Sequence, residues 1–354
     1  VRRIERQSRK LVGVRWMHDG VVIYYSHPSI QVSWFIDCQL HKRTWINRSS
    51  SMNGKLASTV GTFWAWVKLL EDAGLQYNFI GYADLLEHGL DPSQYKVLIL
   101  PRVLALSDAE AEAITDYVRR GGVVLADHMT GLFDQHGKAR KRAALDELFG
   151  IASRPPATSA TLFGGTCLAE LDPEKYWNKT FIDAGKDIRP RCKRARGMVV
   201  AERELDCFAE RRTGAGWAVH MNTSIMEYAG LRMSDYEAAS RYRQPVVQYL
   251  VRAGLKPWVH LSVEGRRPDI TEATYWVRDG RVYVFVVKNP TKFASEFGET
   301  KTEGVSSRQV QLTVRFETPK RDVRDELTGR SVGAGQRFTV PWRMDEVALL
   351  SLAR

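Results

Sequence analysis

The sequence predicts an α/β protein: a parallel sheet with helices on both faces, followed by a small antiparallel β-domain. Three observations carry this. Short apolar runs alternate with amphipathic stretches through the first half of the chain, the pattern of right-handed βαβ units. The runs are uniformly apolar rather than alternating, as strands buried on both faces must be. After Pro257 the helical periods stop and two-residue alternation takes over.

Residues 20–26 (GVVIYYS) form the first apolar run and read as a buried strand. Val60, Phe63, Trp64, Val67 and Leu70 then recur at helical spacing, and Gly74 followed by Leu75 marks a left-handed helix stop with its apolar partner. Gln76 to Gly81 is a second strand and Tyr95 to Leu100 a central one, stopped by Pro101. Ser107 and Glu110 have capping-box spacing, and Ile114, Tyr117 and Val118 continue one helical face up to Gly121-Gly122. Val123 to Ala126 is the fourth strand and Gly216 to Asn222 a further one. Ser234 and Glu237 repeat the capping-box spacing before a helix ending at Ala253-Gly254-Leu255, with Pro245 predicting a kink or a second start. Beyond Pro257, segments 273–277, 281–287, 309–315 and 346–352 read as strands, separated by turns at Asp279-Gly280 and Thr328-Gly329.

Composition narrows the function classes. With 354 residues, 44% hydrophobic and 26% charged, the chain suits two or three globular domains and is not a disordered or collagenous protein. No apolar run approaches the roughly 18 to 20 residues of a membrane-spanning helix, so no membrane partner is expected. The cysteines, Cys38, Cys167, Cys192 and Cys207, are scattered and form no CxxC or zinc spacing, so no disulfide framework, metal or cofactor is expected. They fit a reducing, cytoplasmic compartment. Val1 is followed by no charged-then-apolar leader, and the chain is expected to be the remainder of something longer. The net charge of +11 gathers in residues 2–15 and 186–212 without aromatic interleaving or a nucleic-acid-binding motif, so nucleic acid is not the expected partner.

The sheet pattern resembles the flavodoxin-like, class I glutamine amidotransferase-like fold. The turn after Val123 to Ala126 reads Asp127-His128-Met129-Thr130-Gly131, however, and has no nucleophilic cysteine. Residues 95–151 carry an ordered set of features: the Tyr95-Lys96 strand ending in Pro101, the capped helix, Tyr117-Val118 before Gly121-Gly122, Thr130-Gly131 with Asp134, and an exit at Gly150-Ile151. This set resembles the β-galactosidase trimerisation domain of glycoside hydrolase family forty-two, and the terminal β-domain resembles the small C-terminal domain of the same enzymes. The resemblance implies residues 1–19 as a basic connecting segment, 20–257 as the α/β trimerisation-type domain and 258–354 as a β-sandwich-like domain. It further implies a homo-oligomer, most simply a trimer, with carbohydrate as the ligand class.

Family members place their paired carboxylates on an N-terminal (β/α)8 barrel, with the acid/base glutamate commonly after an asparagine. Here Asn47, Asn53, Asn78, Asn178, Asn222 and Asn289 are followed by Arg, Gly, Phe, Lys, Thr and Pro. The chain is therefore expected to be the non-catalytic C-terminal region of such a hydrolase, with no catalytic residue of its own. The alternatives are a hydrolase using strand-end residues Asp127 and His128, or a free-standing carbohydrate-binding scaffold. Residues 26–51 follow the first strand, where ligands of open α/β sheets bind. There His27, Trp34, Asp37, Arg43, Trp45 and Arg48 combine aromatic faces with polar groups suited to a sugar. Packing of the tryptophans in a core or interface, with the arginines paired to acids, explains the same residues.

Overall fold

The computed structural model describes residues 12–40, 59–127, 129–151, 168–170, 189–191, 198–200, 203–205, 208–221, 225, 228–289 and 307–354. In chain order the elements begin with β1 (Arg15–Trp16), β2 (Val21–Tyr25), α1 (His27–Leu40), α2 (Thr59–Ala73), β3 (Tyr77–Gly81) and α3 (Tyr82–His88). Next come β4 (Val97–Leu100), α4 (Asp108–Arg119), β5 (Val123–Ala126) and the single turn α5 (Asp146–Phe149). The pairs β6 (Leu168–Glu170) with β7 (Arg189–Arg191), and β8 (Met198–Val200) with β9 (Arg203–Leu205), are each antiparallel. They precede β10 (Phe208–Thr213), β11 (Gly216–Met221), α6 (Tyr228–Ser234) and α7 (Tyr236–Arg252).

The first sheet has the order β3-β2-β4-β5-β11-β10, parallel except for β10. Successive strand residues point to opposite faces, and each face meets its own helices. Val21, Ile23, Val97, Ile99, Val123 and Leu125 pack with Trp66 and Leu70 of α2, Tyr228 of α6, and Tyr242 and Val246 of α7. Their neighbours Val22, Tyr24, Leu98, Leu100, Val124 and Ala126 pack with Ile114, Tyr117 and Val118 of α4 and with Phe149. Every side chain of β4 and β5 is buried, which explains their uniformly apolar sequence.

The helix signals are specific where they hold. At the α4 N-terminus the Glu110 amide donates to Ser107 Oγ at 3.1 Å, and the Ser107 amide donates to Glu110 Oε2 at 2.7 Å. Helix α2 stops at Gly74, whose φ of 82° lets the Leu75 amide reach back to the Leu70 carbonyl at 2.9 Å. At α7 the expectation is corrected. Asp235, in extended conformation, caps the helix by accepting from the Ala238 amide at 2.9 Å, while Ser234 is the last residue of α6. A single helix runs through Pro245 with no second start.

The second sheet is antiparallel. Its strands are β12 (Val259–Ser262), β13 (Thr271–Arg278), β14 (Arg281–Lys288), β15 (Gln309–Asp325), β16 (Arg330–Arg343) and β17 (Ala348–Ala353). The order is β1-β13-β14-β17-β15-β12, with β16 also on β15. The Asp279-Gly280 turn takes φ of 49° and 72°, the two positive values that a tight hairpin requires. Strand β15 outruns its expected end at residue 315. Register shifts after Arg315 bend it, so that its first half pairs with β12 and its far end with β17. Within the stretch expected to be a connection, β1 pairs with Trp276 and Val277 of β13, so the chain begins its described course in the C-terminal sheet.

Candidate functional site

The C-terminal ends of β2, β4 and β5 converge, and polar groups gather there. Ser26 caps α1, and Ser29 Oγ, in the first turn of α1, both accepts from the Ala105 amide at 3.0 Å and donates to the Ala105 carbonyl at 3.1 Å. The Tyr24 hydroxyl donates to Glu110 Oε1, so the capping carboxylate also holds the sheet; burial and that carboxylate push the tyrosine hydroxyl well above its ordinary range. After β4 the chain turns at Arg102, whose φ of 44° is costly for a residue with a Cβ. The Arg102 amide donates to Asp127 Oδ1 at 2.7 Å, and Thr130 Oγ1 donates to the Asp127 carbonyl at 2.8 Å.

Asp127 has no exposed surface. Burial pushes its carboxyl well above the usual range, against the opposing pull of Arg102. In this position it can hold the strained Arg102 turn. Of the other expected residues, His27 is exposed at the first position of α1, and Trp34 and Asp37 lie within the same helix. His128, Arg43, Trp45 and Arg48 lie outside the described residues.

A second polar system joins the two sheets. Asp19 accepts from the Gln76 amide at 2.7 Å, from the Trp258 amide at 2.9 Å and from the Tyr275 hydroxyl. The Gln76 side chain donates to the Tyr275 carbonyl at 3.1 Å and accepts from the Tyr275 amide at 2.8 Å, so a side-chain amide pairs with β13 as a strand residue would. Nearby, Asp72 and Arg232 form a two-pronged pair at 2.7 and 2.9 Å with neither side chain exposed. Tyr228 donates to Asp72 at 2.7 Å, Arg243 donates to Tyr228 at 3.1 Å, and Arg232 Nη1 donates to the Asn289 carbonyl just past β14 at 2.9 Å. The Asn289 amide bridges Glu71 and Glu272 at 3.1 and 2.6 Å. Burial and Glu272 raise Glu71 to about 7, with Lys68 and Arg232 opposing.

Burial raises Asp19 to about 6, against its three donors. The folded state therefore keeps a proton that the unfolded chain has released, so the contribution of this group is full below about pH 4 and is lost as pH rises through 6. A shift of that size is worth about 3 kcal/mol. The unfolding free energy of the wild type relative to Asp19→Asn should accordingly fall by about that amount between pH 4 and 7 in urea titrations. A difference independent of pH would contradict the assignment.

Residues 30–159 match the Beta-galactosidase trimerisation domain. The matched segment runs from within α1 past α5 and contains Gly122, Glu110 and Asp127. Among solved structures, the chain is similar to a GH42 beta-galactosidase from G. stearothermophilus, at 16% identity and a TM-score of 0.57, covering 99% of this chain and 42% of that one. It is also similar to the beta-galactosidase of Bacillus circulans sp. alkalophilus, at 16% identity and a TM-score of 0.56, covering 99% and 44%. The alpha-L-fucosidase isoenzyme 2 of Paenibacillus thiaminolyticus gives 14% identity and a TM-score of 0.52, covering 99% and 50%. The chain thus spans half or less of the length of these relatives. At such identity the likeness is one of fold. The junction residues Asp19, Arg232 and Tyr275 fall outside the matched segment, and sequence reasoning missed them. The available signal was three charges, Lys68, Glu71 and Asp72, inside a helix otherwise rich in large apolar residues.

Proposed function

We propose that this chain is the non-catalytic, oligomer-forming C-terminal region of a β-galactosidase-like glycoside hydrolase. The observation that carries it is the match of residues 30–159 to a trimerisation domain. In this reading residues 20–257 form a flavodoxin-like α/β domain, which the strand order β3-β2-β4-β5-β11 supports, and residues 258–354 form a β-sandwich-like domain. The chain assembles as a homotrimer and shapes a carbohydrate site whose acid and nucleophile stand on another segment. Within the chain, His27, Trp34, Asp37, Arg43, Trp45 and Arg48 are the residues that would face sugar.

Two features support assembly without chemistry. One edge strand of the sheet, β3, with the end of β2 and helix α3 beside it, exposes Tyr25, Phe79, Tyr82 and Leu86, an apolar edge of the kind that a subunit contact covers. Asp127, the strand-end carboxylate, is sealed from solvent, whereas glycoside cleavage needs two carboxylates flanking the bond. Light scattering combined with an aryl β-galactoside assay on the same sample tests the reading. A trimer without turnover is expected. Turnover abolished by His128→Ala would replace it with a hydrolase acting through its own strand-end site.

A further inference from the structure

The C-terminal sheet carries a cleft of about 390 Å³ whose lining is basic. We propose that it binds the anionic group, sulfate or carboxylate, of an acidic saccharide. The strand register builds the site. His260 of β12 lies opposite Arg315 of β15, and Arg315 lies opposite Arg337 of β16, so three basic side chains form one row across adjacent strands. Two residues along, Ser262 lies opposite Thr313, and Thr313 opposite Thr339, giving a parallel row of hydroxyls. The intervening Leu261, Val314 and Phe338 are buried, which puts both rows on the outward face.

Like charges directly opposite one another destabilise a sheet, and the fold supplies little to offset them. Glu317 is the carboxylate in contact with the row, 3.1 Å from His260 Nε2 and 4.0 Å from Arg315 Nη1. Arg337 has no ion pair or hydrogen bond among the described residues. Arg267 also lines the cleft; its Nη2 donates to the carbonyls of Glu71 and Thr271, while its Nε is buried without a hydrogen-bond partner among the described residues. Guanidinium forks match the paired oxygens of sulfate and carboxylate. The cleft exceeds the size of one such group, and the hydroxyl row beside it suits a sugar ring. The choice of a saccharide over a free anion rests on the carbohydrate reading above; the basic row does not.

Calorimetric titration of the whole chain at constant ionic strength decides the matter, with a sulfated galactan oligosaccharide, its neutral counterpart, sodium sulfate and a single-stranded oligonucleotide as probes. The sulfated oligosaccharide should bind at least tenfold more tightly than the neutral one or sulfate alone. Arg315→Gln and Arg337→Gln should each remove at least tenfold of that affinity. Arg337→Gln should also leave the melting temperature unchanged or higher, because it relieves a like-charge pair on an exposed face. Equal affinity for the sulfated and neutral probes, affinity unchanged in Arg337→Gln, binding of sulfate alone as tight as that of the saccharide, tighter binding of the oligonucleotide, or no binding at all would each overturn the proposal. A monomer that still binds through Arg337 would sink the assembly reading and keep the cleft; a trimer that binds no anion would do the reverse.

Discussion

Asp72→Ala should lower the unfolding free energy by about 3 to 5 kcal/mol, the usual cost of leaving one member of a buried ion pair alone. Both partners are fully enclosed, and Arg232 spends its guanidinium on Asp72 and the Asn289 carbonyl. Without the carboxylate, the buried Arg232 loses both prongs of its ion pair and keeps only the weaker attraction of Glu71. The loss should fall on the junction as well as the helices, since Asn289 follows β14 in the C-terminal sheet. Denaturant unfolding of Asp72→Ala, Arg232→Met and the double variant measures it. The double variant should be clearly more stable than the sum of the single losses implies, because removing both charges removes the desolvation penalty too. Additive losses would mean that the pair is not coupled as the geometry requires.

Gly216→Ala should cost about 3 kcal/mol, at the top of the range for overpacking. A Cβ at that position would stand 2.1 Å from the Gly122 carbonyl oxygen and 2.3 Å from that of Val118, both backbone atoms that cannot swing aside. The same crowding explains the Tyr117-Val118 and Gly121-Gly122 pairing seen in the sequence. The Tyr117 ring lies where a Gly122 Cβ would go, with its hydroxyl donating to the Tyr95 carbonyl at 2.8 Å, and Gly121 turns with φ of 113°. Gly230→Ala in α6 provides the contrast. Its added Cβ meets nothing within 4 Å, so the helix should gain up to about 1 kcal/mol. Unfolding midpoints of the two variants should move in opposite directions; a neutral Gly216→Ala would contradict the packing.

What the sequence made legible were features set by local rules. Strands β2, β4, β5 and β11 are apolar because both faces are covered, and α2 and α4 carry their own stop and cap. Ser234 and Glu237 have the right spacing for a cap, but Asp235 between them takes the position because Ser234 is still helical. Helix α3 is too short to show a period. Strand β16 reads RSVGAGQR at its start, so its glycines and exposed polar residues resemble a loop. The junction was illegible for a different reason. Asp19 meets Tyr275 across 256 positions and Asp72 meets Arg232 across 160, and nothing local in a charged residue names a partner that far away. The expected sugar-facing set shared this difficulty: it rested on residue type after one strand, and of its members the fold locates His27, Trp34 and Asp37 on α1.

The central claim is that this chain self-associates through residues 30–159, the segment that matches a trimerisation domain, and mass measurement by multi-angle light scattering across micromolar concentrations tests it most directly. A closed, symmetric contact predicts one sharp species at three times the chain mass, holding on dilution. A single species at the mass of one chain at every concentration would contradict the account.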